Sequence, residues 1–181
     1  MTSDEKLMLE FQQGSHEAFT ELFQRYREPL YGFFRRRLDD AARAEELAQE
    51  TFVAVLRGVT RYEPRALFRT YLYAIALNLL AAERRKAGRK ANHPPELVEA
   101  ADPPVGAHPD AALWVRRAVE QLDAGEREVL LLREYDELSY AEIASALRIP
   151  VNTVRSRLFR ARMALKDLLV PDRGTPEAQK F

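Results

Sequence analysis

The thirty-one residues Ser139–Leu169, SYAEIASALRIPVNTVRSRLFRARMALKDLL, restrict this chain more than any other stretch. They read as two helices joined by a tight turn. Ser139 opens a capping box: its hydroxyl can accept from the first helical turn, and Glu142, three residues on, can reach back. Ile143, Ala144 and Leu147 then recur at helical spacing. Arg148-Ile149-Pro150 interrupts the run, and Pro150 suits the first position of a new helix. In that second helix Val154, Leu158, Ala161 and Leu165 form one apolar stripe. The opposite face carries Asn152, Ser156, Phe159, Arg160 and Met163, flanked by Arg155. A packed core does not explain Arg155, Arg157, Arg160 and Arg162 on one short helix. For an arbitrary basic helix a solvated face is the better reading. Here a short capped helix and a tight turn come first, which is the order of a helix-turn-helix. The major groove of DNA admits one such helix, and guanidinium forks match guanine edges and phosphates.

Charge is arranged to suit two kinds of partner. The formal net charge of the 181 residues is zero, but its distribution matters more than its sum. Acid gathers in Asp39–Glu50, and base gathers in Arg35–Arg37, Arg84–Lys90 and Arg155–Lys166. The chain has no cysteine, so disulfides and thiolate metal sites are ruled out, and its three histidines, His16, His93 and His108, lie in no ligand spacing. No metal and no cofactor is expected. No apolar run reaches membrane-spanning length and the N-terminus carries no signal-peptide pattern, so a soluble, cytoplasmic protein without membrane insertion is expected.

Helical spacing continues upstream. Asp4–Gln13 is a short helix with Leu7, Met8 and Phe11 on one side, ended by Gly14. Ser15 caps a second helix whose apolar face holds Phe19, Leu22, Phe23 and Tyr26. Pro29 should bend or split it before Leu30, Phe33, Phe34 and Leu38 resume the stripe. Ala42–Val59 turns Leu47, Phe52, Val55, Leu56 and Val59 to a core. Glu46, Gln49 and Glu50 fall at i, i+3 and i+4 and share one exposed patch. After a loop at Tyr62–Arg65 comes a fourth helix with Phe68, Leu72, Ile75, Ala76 and Leu79 as its apolar positions. It runs into the basic stretch Arg84–Lys90, which suits backbone phosphates. Residues 91–108 are rich in proline and alanine, lack periodicity and read as a flexible linker. Pro109–Leu122 forms the next helix, with Trp114 as an expected core anchor. Asp123 then caps a lead-in helix that contributes Val129, Leu130, Leu132 and Leu138. The tail from Val170 is expected to fray.

Two segments carry a resemblance. LSYAEIASALRIPVNTVRSRLFRARMAL resembles the C-terminal DNA-reading region of bacterial extracytoplasmic-function sigma factors, and AEELAQETF resembles the segment of the same family that docks on RNA polymerase. The two occur in the family's order, and the likeness spans nearly the whole chain. It implies an all-α fold of two small helical domains. Residues 1–90 would form a region 2 type domain, 91–108 a linker, 109–170 a region 4 type domain with the helix-turn-helix, and 171–181 a tail.

The resemblance implies a transcription initiation factor, not an enzyme, that binds core RNA polymerase at the β′ clamp helices and the β flap and directs it to promoter DNA. An anti-sigma factor is the implied regulator. By position, Glu46, Gln49 and Glu50 would contact the polymerase. Arg155, Ser156, Phe159 and Arg160 would read the minus-35 element. Tyr71, Asn78, Arg84 and Arg85 would serve minus-10 recognition and melting. Tyr71 stands where the family has tryptophan and suits either base stacking or a core. The amide of Asn78 offers a donor and an acceptor to a base edge. The polar residues that the family carries near Ala74, Leu77 and Ala82 are missing here. Two other readings compete: a stand-alone helix-turn-helix regulator, which leaves the acidic patch unexplained, and a sigma mimic that sequesters a regulatory partner.

Overall fold

The computed structural model describes residues 2–90 and 109–169. The expected linker, 91–108, and the tail beyond Leu169 lie outside the described residues. The fold is all-α: α1 (Asp4–Gln12), α2 (His16–Arg35), α3 (Ala41–Gly58) and α4 (Phe68–Lys90), then α5 (Pro109–Glu120), α6 (Ala124–Glu134), α7 (Tyr140–Leu147) and α8 (Val151–Leu169).

Caps set the helix starts. The hydroxyls of Ser3 and Ser15 accept from the N–H groups of Lys6 and Ala18, and Asp40 accepts from Ala42 and Arg43. Gly14, at φ +102°, makes the reversal between α1 and α2, a conformation that a side chain would strain. α2 packs against α1 and α3, and α3 against α4. Leu22, Leu30, Phe33, Phe34, Leu47, Phe68 and Leu72 are fully enclosed; each such side chain stabilises the fold by roughly 1.5–3 kcal/mol relative to exposure. Gln12 ties α1 to the turn after α3, its amide donating to the carbonyls of Val59 at 2.6 Å and Tyr62 at 2.8 Å.

α2 is one helix of twenty residues with Pro29 inside it, so of the expected bend or split the split does not occur. Leu22 and Tyr26 before the proline and Leu30, Phe33 and Phe34 after it are all buried. Continuous burial on both sides offsets the lost hydrogen bond.

In the C-terminal half α8 packs on α5, α6 and α7. Val129, Leu130, Leu132, Leu138, Ile143, Val154, Leu158 and Ala161 are buried there. Trp114 is not a core anchor: it is 46% exposed, beside exposed Leu113 and Val115. Ala118 and Leu122 are buried instead, because the apolar surface of α5 is wider than its contact with α8. The two halves meet where α4 packs against α7, and their apolar side chains form one continuous cluster. Among the described residues no helix is long and apolar enough to cross a membrane.

Candidate nucleic-acid and polymerase interfaces

The helix-turn-helix is built as its sequence requires. Ser139 and Glu142 form the reciprocal capping box: the Ser139 hydroxyl accepts from the Glu142 N–H at 3.3 Å, and the Glu142 carboxylate accepts from the Ser139 N–H at 2.8 Å. Burial opposes the charge of Glu142. Its bonds with Ser139 and the nearby Arg69 guanidinium outweigh this and hold its pKa below the ordinary value. α7 ends on Arg148 in the left-handed conformation, whose N–H bonds to Ala144 and Ser145 carbonyls. α8 starts directly after Pro150, whose carbonyl accepts from Thr153 and Val154.

With Val154, Leu158 and Ala161 turned inward, α8 presents Asn152, Arg155, Ser156, Phe159, Arg160 and Met163 outward. Phe159 is 66% exposed, an arrangement that water disfavours and a groove containing thymine methyls would accept. The arginines are held in place. Arg155 donates to the Asn152 side-chain oxygen at 3.0 Å, Arg160 to Glu126 of α6 at 2.6 Å, and Arg162 to Glu134 at 2.8 Å. The Ser156 hydroxyl donates to the Thr153 carbonyl. The four residues expected to read the minus-35 element therefore share one exposed face.

On α3 the structure exposes Glu46, Gln49 and Glu50 together while Leu47, Ala48, Thr51 and Phe52 face inward. Arg43 organises the patch. Its guanidinium donates to Glu46 at 2.7 Å, Glu50 at 3.0 Å and Glu83 of α4 at 2.8 Å. Three carboxylates raise its pKa further, the hydrogen bond to Glu83 most. Leu56, expected in the core, is 40% exposed next to Val53 at the same level, which gives α3 an apolar margin beside the acidic one.

The four minus-10 candidates divide between two sides of α4. Tyr71, Asn78 and Arg85 are each seven residues apart and line one side. Asn78 and Arg85 are exposed; Tyr71 is half-buried against Tyr62 and Phe68, with ring centroids at 5.4 and 6.3 Å. The Tyr71 hydroxyl sits over Gly58, where an added Cβ would lie 2.7 Å from it. Burial raises the phenol pKa of Tyr71 and pushes that of Tyr62 up to about 12, so both rings stay neutral. A shallow hollow lined by Glu50, Val53, Gly58, Arg61 and Leu79 runs beside them between α3 and α4. Arg84 lies on the other side, toward the C-terminal half, 3.4 Å from Glu128 of α6.

Residues 22–90 match the family of sigma-70 region 2, and residues 112–165 match sigma-70 region 4. The RNA polymerase sigma-H factor of Pseudomonas aeruginosa is 33% identical, over 93% of this chain and 94% of its own length. The chain is an extracytoplasmic-function sigma factor of the sigma-70 family. The sigma factor CarQ of Myxococcus xanthus is 32% identical over 90% of this sigma factor and 95% of its own length, and the ECF sigma-E factor of Escherichia coli K12 is 31% identical over 93% and 95%. Among solved structures, CnrH in complex with the cytosolic domain of CnrY matches with a TM-score of 0.72 at 26% identity, over 93% of this chain and 97% of that one. RpoE in complex with the anti-sigma factor NepR from Bartonella quintana matches with 0.71 at 25% identity, over 86% and 98%.

Four residues of this sigma factor escaped sequence reasoning: Arg43, which organises the α3 patch, Glu126, which holds Arg160, and Glu128 and Asp136, which join the two halves. For Arg43 a signal existed in its i, i+3 and i+7 spacing to Glu46 and Glu50. For the others none did, because their partners are 34 to 100 residues away.

Proposed function

We propose that this sigma factor uses the α3 patch of Glu46, Gln49 and Glu50 to dock on the β′ clamp helices of core RNA polymerase, with the C-terminal domain at the β flap. The Tyr71–Asn78–Arg85 side of α4 captures minus-10 bases and phosphates, and Arg84 joins it on backbone phosphates. The outward face of α8 reads the minus-35 element through Arg155, Ser156, Phe159 and Arg160. Residues 1–90 act as the docking and melting domain, 91–108 as the tether, 109–170 as the upstream reader and 171–181 as a tail. It works in the cytoplasm, where polymerase and promoters lie, and supplies no chemistry of its own.

The observation that supports this best is the pairing of two unrelated surfaces on one chain. An acidic, glutamine-containing patch suits a protein partner, with charge giving orientation and partner choice. An exposed arginine and phenylalanine face on a capped helix-turn-helix suits duplex DNA. A stand-alone regulator needs only the second surface, and a sequestering mimic has no need of the arginines on α8. An anti-sigma factor is the expected regulator, since of two factors of similar structure RpoE is in complex with the anti-sigma factor NepR and CnrH with the cytosolic domain of CnrY.

The test is co-purification with core polymerase. Glu50→Arg reverses charge in the exposed patch beside Arg43 and should weaken retention on core at least tenfold, leaving helicity unchanged. Undiminished retention would remove the α3 patch from the docking surface.

A further inference from the structure

Tyr71 owes its setting to residues far upstream. Its ring lies against Tyr62 and Phe68, with centroids at 5.4 and 6.3 Å, and both neighbours are tied through their backbones to α1. The Gln12 amide nitrogen donates to the carbonyls of Val59 and Tyr62 at 2.6 and 2.8 Å. The Glu5 carboxylate accepts from the Phe68 N–H at 2.9 Å. Glu5 and Gln12 are seven residues apart, so they share one side of α1, with buried Met8 between them. The cap on α4 has no local source. Leu67, just before the helix, has no side-chain oxygen, and the first turn carries no acidic residue. Glu5 supplies both the acceptor and the negative charge that suit a helix N-terminus. Its neighbour Asp4 accepts from the Tyr26 hydroxyl, and the Tyr26 ring meets Phe68 edge to face at 5.6 Å. α1 is anchored in turn by buried Leu7 and Met8 and by the ion pair of Asp4 with Arg25.

We propose that Glu5 and Gln12 are positioning residues for Tyr71, and that α1 is a brace that presets the minus-10 side of α4 for promoter melting. The inference rests on the proposed role of Tyr71, Asn78 and Arg85.

Stacking on an unpaired base depends on where the ring points. The segment from Tyr62 to Leu67 lies outside any helix, so its own backbone does not fix the wall behind Tyr71. Gln12 holds the start of that segment and Glu5 holds its end. A ring whose wall is set before DNA arrives loses less freedom on binding. Gly58 offers an independent handle on the same ring. A Cβ there would lie 2.7 Å from the Tyr71 hydroxyl. The backbone of Gly58 is right-handed helical, at φ −90° and ψ −4°, so alanine fits it without strain and favours the helix. Gly58→Ala therefore shifts the ring while sparing the fold, whereas Glu5 and Gln12 variants loosen the wall behind it.

Two measurements on the full chain test this. The first is amide hydrogen exchange of the free protein, which needs neither polymerase nor DNA. Glu5→Ala should speed exchange at Phe68 at least tenfold and leave the amides of α8 unchanged. Glu5→Gln, which keeps an acceptor oxygen, should restore most of the protection. Unchanged exchange at Phe68 would overturn the brace, and so would faster exchange throughout the chain, which would make Glu5 a general support of the fold. The second is permanganate reactivity of thymines near minus-10, with core polymerase on a fragment that the factor transcribes. Glu5→Ala and Gln12→Glu, which replaces a donor to two carbonyls by an acceptor, should lower reactivity at least fivefold. Retention on core and affinity for a minus-35 duplex should stay within twofold. Gly58→Ala should lower reactivity as well, with thermal stability no lower than that of the wild type. Full reactivity in all three variants, or parallel loss of core retention, minus-35 affinity and reactivity, would overturn the proposal. If Tyr71→Ala melts the promoter as the wild type does, the minus-10 reading of Tyr71 fails, and the role in melting with it; exchange at Phe68 decides the brace separately.

Discussion

Arg160, which we propose reads DNA, is engaged within the molecule before any DNA is bound. Its Nε donates to Glu126 at 2.6 Å, and Glu126 is largely enclosed while Arg160 is half-exposed. Such a partner fixes the direction of a long side chain whose rotamer freedom would otherwise be lost on binding. It also places a negative charge near phosphates. Arg160→Ala should therefore cost about 1–3 kcal/mol on duplexes carrying the upstream element if the residue reads a base, and less on scrambled duplexes. Glu126→Ala should act differently: non-specific affinity rises as the nearby negative charge is removed, while the ratio of specific to scrambled binding falls several-fold. Fluorescence anisotropy on both duplexes at two salt concentrations separates these effects. Equal losses on both duplexes for Arg160→Ala would make it a phosphate contact. At this scale the sequence was informative about which side chains face outward, since spacing within one helix decides that. It was silent on who holds them, because Glu126 is 34 residues from Arg160 and Asp136 is 100 from Arg36.

Among the elements, α7 and its turn were the most legible, and α4 the least. Caps and breaks act over four residues, so Ser139, Glu142 and Pro150 announced α7 and α8 almost to the residue. α4 packs on both α3 and α7, and besides Phe68, Leu72 and Ala76 it buries Tyr73, against Phe33 of α2, and Leu80. Its apolar pattern is therefore spread around the helix, and of these the stripe read from spacing captured only Phe68, Leu72 and Ala76. Trp114 failed for the opposite reason: the pattern of α5 implied burial that its neighbours do not supply. Glu142 links the element to the interface, serving both the cap and Arg69. Its lowered pKa means that it stabilises the fold fully above the ordinary carboxylate range, and that this share is lost as pH falls through its folded value. Glu142→Gln should thus cost about 0.5–1 kcal/mol near pH 7, mainly through the lost ion pair, and almost nothing well below pH 4. Urea unfolding at the two pH values measures the difference. A cost that stays constant with pH would show that the Glu142 charge contributes nothing.

For the whole molecule, the all-α character and the helix-turn-helix followed from local pattern, and the likeness to sigma factors over more than nine-tenths of the chain agrees with them. The contact between the two halves did not follow, because it depends on charges from α2 meeting charges from the α6–α7 turn. The basic run Arg35–Arg37, counted from the sequence among the basic clusters, is largely engaged inside the molecule. The most direct measurement is run-off transcription on genomic fragments with purified core polymerase, with and without the protein. Transcripts should appear only when it is present, with start sites that align on shared sequences near minus-10 and minus-35, and Glu50→Arg should abolish them. Identical transcripts with and without the protein, together with no retention on core, would contradict its action as an initiation factor.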